Sequence, residues 1–329
     1  MRRQQKFFLF IALAAAAVTP ALGQTVTSGG GPASAVVIGA TSIPDFSRVW
    51  THPAFPWFEP PASGPGPVTN KSRWPQQPGD AASGTVALPP LPPGVEGVSD
   101  YDQLVGDYTN PILQPWAAEV VKKFGEMSLA GIVYGNASNQ CWPMPMLFIY
   151  KQGTVRILQQ PDRVLLIYTG PNTDVRRVRL NDRHPEPLTP SWYGDSVGHY
   201  EGDTLVVDTV GQKSGPYAML DLYGTPYTKA LHVVERYRLL DYEAAKEGLE
   251  RDRKENQQAG GGIDRNYKGK HLQVTFTVED EGVFTMPWTA TITYGRGTDA
   301  FPEIVCAENT HEYYANKDSD VPTANRPDF

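Results

Sequence analysis

Two cysteines in 329 residues are too few for a disulfide scaffold or a thiolate-ligated metal cluster. The six histidines fall at no His-x-His or His-x-x-x-His spacing, so the pattern calls for no metal ion. Basic residues are scattered and the net charge is −7, which excludes the clustered footprint that nucleic acid requires. Beyond Val18 no run is apolar enough to span a bilayer, so no stable membrane insertion is expected. No motif demands a cofactor, and nothing sets an oligomeric state. The partner class left open is a small-molecule ligand or substrate.

The N-terminus sets an expected compartment. Arg2, Arg3 and Lys6 precede an apolar run from Phe7 to Val18, and Ala21-Leu22-Gly23 is a small-residue cleavage site. Together these read as a secretory signal peptide over residues 1–23, implying a periplasmic or secreted protein. In that setting Cys141 and Cys306 are expected to form one disulfide joining the start of the β-rich region to its end.

From residue 24 to 109 the chain is rich in Gly and Pro, with runs such as Pro89-Pro90-Leu91-Pro92-Pro93. Phe46, Trp50, Phe55, Trp57, Phe58 and Trp74 recur through it, and disordered tracts are poor in such rings. The segment therefore reads as an extended arm laid over the main domain, its rings inserted as pegs. A helix follows, with Asn110 as cap, Pro111 in the first turn and Trp116, Val120, Phe124 and Met127 as its buried stripe.

Residues 110–313 otherwise read as short strands separated by turns. The candidates are Met146–Lys151, Thr154–Gln159, Arg163–Thr169, Val175–Leu180, Asp195–Tyr200, Thr204–Val210, Ala230–Leu240, Leu272–Glu279, Phe284–Tyr294 and Glu303–Ala307. With almost no helix between them, they predict an all-β fold, an antiparallel lipocalin-like barrel or else a sandwich. A charged helical insertion at 241–262 ends in Gly260-Gly261-Gly262 and could serve as a solvated connection or a lid. The polar tail 314–329 is expected to be poorly ordered.

The densest collection of chemically useful residues is Asn181 to Val210. A hairpin centred on Glu201-Gly202 would set Asp195 opposite Asp208, and a loop one residue longer would set Ser196 there instead. Two facing carboxylates repel, which can divide acid and base roles; alternatively one is held by Arg or backbone and merely pins the hairpin. Gly194-Asp195-Ser196-Val197-Gly198 fits Gly-x-Ser-x-Gly, but a nucleophile elbow needs a strand turning into a helix, and a hairpin follows instead. On the strand Ala230–Leu240, His232, Val234 and Arg236 share one face, and Leu231, Val233, Glu235 and Tyr237 the other. His232 is a candidate base and Arg236 a candidate anion holder, or else a core His beside a structural Arg–Glu pair. His184, before Pro185, sits at a strand end or in a loop.

The chain resembles a family of exported, largely uncharacterised bacterial β-rich proteins. The residues that carry the likeness are Pro44-Asp45-Phe46-Ser47 with Trp50, Gln160-Pro161-Asp162-Arg163-Val164, Arg176-Arg177, Asp182-Arg183-His184-Pro185 and Ser196-Val197-Gly198. It continues through Glu201-Gly202-Asp203-Thr204-Leu205-Val206-Val207-Asp208-Thr209, Ala230-Leu231-His232-Val233 with Glu235-Arg236, Pro287-Trp288-Thr289, and Val305-Cys306 with Glu308-Asn309. The resemblance implies a β-rich fold and export, and no general activity. This chain departs from it at Asp195, where relatives tend to have His, at Tyr200, where they have Trp, and at Tyr227-Thr228-Lys229, where they have a His-Ser-Glu run. The expectation is an exported barrel enzyme doing acid–base chemistry of the lyase, isomerase or hydrolase type on a small molecule in the barrel cavity. Asp195, Asp208, His232 and His184 are the catalytic candidates; Arg236, Tyr200, Tyr217, Tyr223 and Ser196 are the substrate-binding ones. A non-catalytic binding barrel is the alternative.

Overall fold

The computed structural model describes residues 43–52, 58–74, 98–99, 103–169, 173–215, 217–255, 263–298 and 306. The expected signal peptide, the glycine triplet, the strand at Glu303–Ala307 and the tail lie outside them, save Cys306 itself. Strands β1 (Val49–Thr51), β4 (Thr154–Gln159), β5 (Arg163–Thr169), β6 (Thr173–Leu180), β7 (Asp195–Glu201), β8 (Thr204–Val210), β9 (His232–Leu240), β10 (His271–Glu279) and β11 (Trp288–Arg296) close into one barrel. Two short strands, β2 (Arg73–Trp74) and β3 (Val98–Ser99), pair separately. The described residues hold two α-helices, α1 (Pro115–Leu129) and α2 (Tyr242–Glu255), the latter within the charged stretch 241–262.

The arm does more than lie on the barrel. β1 pairs with β4 on one side and β11 on the other, so three residues of the Pro-rich segment close the ring. Closure removes the two edges that β4 and β11 would otherwise expose. Trp50 anchors the strand: its ring is 1 % exposed and its indole N–H donates to the Phe46 carbonyl at 3.0 Å. Phe46 and Phe58 are buried with it, as the peg reading expects.

Alternation builds the wall. In β9, Val233, Glu235 and Tyr237 point inward and are buried, whereas Arg236 and Arg238 face out. The inward columns of β5, β10 and β11, among them Leu166, Phe276 and Ile292, form the apolar core. At 25 cal/mol per Å² of apolar surface, each such side chain contributes about 1.5–3 kcal/mol.

Three local expectations need correction. Met146–Lys151 is not a strand: Leu147 adopts φ 70°, and Phe148–Gln152 wind into a 3-10 turn whose Phe148, Ile149 and Tyr150 are buried. A short apolar run carries no period with which to separate a strand from a buried turn. α1 begins at Pro115 and buries Ala117, Val121 and Gly125, while Trp116 and Val120 stay exposed, so the buried stripe lies one position along from the expected one. β11 starts at Trp288 rather than Phe284, because Val283 and Phe284 close a turn onto the Asp280 carbonyl.

The barrel is mixed rather than purely antiparallel. β6 and β7 run parallel, with Val178 opposite Ser196 and Leu180 opposite Gly198. A parallel pair needs a crossover, so residues 181–194 travel back along the barrel before β7 begins. Cys141 and Cys306 are joined by a disulfide, as expected.

Candidate functional site

The hairpin register differs from both expected versions. Glu201 pairs with Thr204, so the turn is Gly202-Asp203, with Gly202 at φ 61°. Glycine at the first central position is the signature of a II′ turn, whose twist suits a two-residue hairpin. Val197 therefore faces Asp208, and Asp195 faces Val210. Asp195 and Asp208 are diagonal neighbours on one face, not a directly opposed pair.

What joins them is His184, carried by the parallel crossover. Its Nδ1 lies 2.6 Å from Asp195 Oδ1 and its Nε2 lies 3.0 Å from Asp208 Oδ1. Asp208 Oδ2 in turn lies 3.1 Å from His232 Nε2, and His232 Nδ1 stands 3.6 Å from Glu279 Oε2. At the other end Arg179 Nη1 donates to Asp195 Oδ2 at 2.6 Å and Arg179 Nε to Asp182 at 2.7 Å. The four catalytic candidates, up to 48 positions apart in sequence (184 to 232), thus form one continuous line over the crossover and three neighbouring strands, β7, β8 and β9.

That line runs along the outer wall, not inside the barrel. Asp208 is opposite the outward Val234, and His232 shares that face with the exposed Arg236. Side-chain exposure is 18 % at Asp195, 26 % at His184, 34 % at His232 and 39 % at Asp208, so solvent reaches the line without dissolving it. Partial burial alone would raise the Asp195 carboxyl, but hydrogen bonds from Arg179 and then His184 outweigh it and hold the group below the usual range. Each ring nitrogen of His184 thus faces a carboxylate oxygen. His232 differs: only Nε2 is within hydrogen-bond range of a carboxylate, since Nδ1 at 3.6 Å from Glu279 is beyond it.

The barrel interior holds a second polar assembly. Arg176 forms a forked pair with Glu235, Nη1 to Oε1 at 3.0 Å and Nη2 to Oε2 at 2.6 Å, with both side chains at 1 % exposure or less. Tyr237 donates to Glu235 at 2.6 Å and Tyr150 donates to the same oxygen. Burial first, and the Glu235 charge second, push both phenols well above their ordinary range. Ser196 is part of this assembly: its hydroxyl lies 2.9 Å from Thr209 Oγ1 and accepts from Arg176 at 3.3 Å. The Gly-x-Ser-x-Gly glycines serve packing. Gly194 sits at φ 71°, and a Cβ there would meet the Val210 carbonyl at 2.7 Å; at Gly198 it would meet Val178 at 2.8 Å.

The remaining candidates are elsewhere. Arg236 pairs with Glu201 at 2.7 Å rather than with Glu235, and lies about 13 Å along the strand from His232 at 3.3 Å per residue. Tyr200 accepts from Gln159 at 2.9 Å, Tyr217 packs edge-on against Trp142, and Tyr223 is buried against Gly106. Among the described residues no group of His, Cys, Asp and Glu side chains is arranged to hold a metal ion. None of their helices is long and apolar enough to cross a membrane. No family model matches the chain, and neither does any curated protein or solved structure.

Proposed function

We propose that this is an exported acid–base catalyst whose proton-transfer centre is the His184–Asp208–His232 line on the outer wall. The observation that carries the reading is that one carboxylate, Asp208, receives both imidazoles, one ring held at both nitrogens and the other at one. A histidine oriented by a carboxylate, with its far nitrogen open, is suited to act as general base. His232 is that base, Asp208 fixes its tautomer, and His184 with Asp195 and Arg179 holds Asp208 in place. The substrate class is a small organic molecule with an activated C–H or O–H, as in elimination or isomerisation. Ser196 is no nucleophile in this scheme, since its hydroxyl is spent on Arg176 and Thr209 inside the wall. The disulfide supports export, because such bonds persist in oxidising compartments. Membership in the exported β-rich family is part of the same proposal.

The test is proton exchange in D2O. Small carbonyl compounds and hydroxy acids are incubated with the protein, and loss of C–H proton signals is followed by NMR. Wild type is expected to exchange at least one compound, and His232→Gln and Asp208→Asn to lose roughly 10²–10⁴-fold in rate, the usual worth of a positioned acid or base. Exchange by His232→Gln at the wild-type rate, or none by wild type, would sink the reading.

A second reading, a non-catalytic binding barrel, is favoured by a different observation. Among the described residues, both side-chain amide atoms of Gln212, Gln152 Oε1 and Arg176 Nε are buried without a hydrogen-bond partner.

A further inference from the structure

The seam where the arm closes the barrel carries an open cleft of about 410 Å³. Three arginines line it, one from each piece of chain that meets there: Arg156 in β4, Arg48 immediately before β1, and Arg296 at the end of β11. Register sets them side by side, since Arg156 stands opposite Val49 and Arg296 opposite Trp50. The backbone between them is held on both sides, the Ile157 N–H donating to the Arg48 carbonyl at 3.1 Å and the Gly297 N–H to the Val49 carbonyl at 2.9 Å. Arg48 and Arg296 are exposed and Arg156 is half-buried, so solvent reaches all three.

Like charges on neighbouring strands destabilise a sheet unless a counter-charge sits among them. Elsewhere on the wall the chain supplies that charge itself: Arg163 has Asp162, Arg179 has Asp182 and Asp195, Arg236 has Glu201, and Arg238 has Asp203. At the seam, among the described residues, no carboxylate pairs with Arg48 or Arg296; both turn to Tyr267 instead. The Tyr267 hydroxyl accepts from Arg48 Nη1 at 3.1 Å, and the Arg296 guanidinium lies 5.1 Å from the centre of the same ring. Tyr267 thus orients two guanidinium groups and neutralises neither. The acids close by in the chain are engaged elsewhere: Asp45 accepts from the Ser47 N–H at 2.9 Å, and Asp264, whose own N–H donates to the Arg296 carbonyl, accepts from the Asn266 N–H at 3.0 Å.

We infer that the seam cleft binds a phosphorylated small molecule through its phosphoryl group. A carboxylate offers two coplanar oxygens, which one guanidinium fork saturates, whereas a phosphoryl group spreads three oxygens and takes donors from several sides. Three guanidinium groups on neighbouring strands suit the second geometry. At about 4.8 Å between strands, the Arg156 and Arg296 backbones stand roughly 10 Å apart across β1, a span their long side chains can close onto one group. The cleft falls within the size range of small-molecule sites, about 300–1,000 Å³. Leu158, 39 % exposed at its edge, gives the organic part of the ligand an apolar surface to rest on. A nucleic-acid backbone is disfavoured, because the basic residues outside the cleft are scattered and the net charge is −7. Around the closed ring, β8 is four strands from β1 in one direction and five in the other, so the cleft lies across the barrel from Asp208. The site is therefore independent of the outer-wall histidines.

The experiment titrates the full chain with inorganic phosphate, pyrophosphate and glycerol 3-phosphate by calorimetry at constant ionic strength, with acetate, citrate and glycerol as comparisons. At least one phosphate compound is expected to bind with a Kd of about 1 mM or tighter, and acetate and glycerol not to bind. Arg48→Gln and Arg296→Gln are each expected to weaken that binding about tenfold, the worth of one charge-assisted contact. Their Tm without ligand is expected to equal or exceed that of wild type, because a repelling charge is removed, so lost binding is not lost fold. Arg238→Gln, which makes the same change of net charge elsewhere on the wall, is expected to bind as wild type does. The inference is overturned if none of the three phosphate compounds binds, or if acetate or citrate binds more tightly than all of them. It is also overturned if Arg48→Gln or Arg296→Gln binds as wild type does, or if Arg238→Gln loses as much as they do. Proton exchange at His232 is scored separately in D2O, so failure at one site is not mistaken for failure at the other.

Discussion

The buried Arg176–Glu235 pair gives the sharpest stability prediction. Arg176→Met leaves the Glu235 carboxylate inside the barrel with only the Tyr150 and Tyr237 hydroxyls to face it. Glu235→Leu leaves a guanidinium with the Ser196, Thr209 and Tyr168 oxygens. Removing one partner of a buried pair costs about 3–5 kcal/mol, because an uncompensated charge is stranded, whereas replacing both by apolar residues is often close to neutral. Independent effects would sum to about 6–10 kcal/mol in the double variant. The forked geometry predicts instead that Arg176→Met with Glu235→Leu costs no more than either single change. Tyr150 and Tyr237, 2.9 Å apart, still bond to each other when the carboxylate is gone. Urea denaturation read from the midpoint at unchanged slope supplies the four free energies of the cycle. A single variant costing less than about 1 kcal/mol, or a strictly additive double, would refute the reasoning.

Other outcomes follow from the same structure. Asp174 titrates near 6 in the folded chain because it is buried, against about 3.9 unfolded, so the folded state holds the proton more tightly. That stabilisation is complete below pH about 4 and is lost as pH climbs through about 6, a swing on the order of 3 kcal/mol. Asp221, also pushed up to about 6 by burial, acts in the same window and sign. Asp174→Asn should therefore flatten one of two such steps in unfolding free energy against pH, and an unchanged slope would contradict its burial. Replacing Cys141 and Cys306 by Ala opens a loop of 165 residues and should cost up to about 5 kcal/mol in chemical denaturation. A loss under about 1 kcal/mol would show that the unfolded chain is not constrained by the bridge.

Much of the wall was legible because alternation and turn residues are local signals. β4, β5 and β8 have the bounds read from the sequence, and β6, β7, β9 and β10 differ by two residues or fewer at either end. The closing strand β1 was not legible, since Val-Trp-Thr is too short for a period and its two partners are over a hundred residues away. The register of β7 with β8 depends on which pair is central to the turn, and glycine's tolerance of positive φ at the first central position selects Gly202-Asp203. The parallel crossover left no sequence sign, and it is what brings His184 to Asp208. Strand alternation puts Glu235 on one face with Val233 and Tyr237, but nothing local to the strand names its partner. A lone acid in an apolar column asks for a cation in another inward column, and Arg176, between Asp174 and Val178, was the residue that met that condition.

The linkage of His184 and His232 through Asp208 is most directly tested by long-range ¹H–¹⁵N NMR of the imidazole nitrogens. Asp208→Asn is predicted to shift the ring resonances of both histidines together, whereas Asp203→Asn, at an exposed turn position, shifts neither. Movement of only one ring, or of neither, on Asp208→Asn would contradict a shared proton-transfer line on the outer wall.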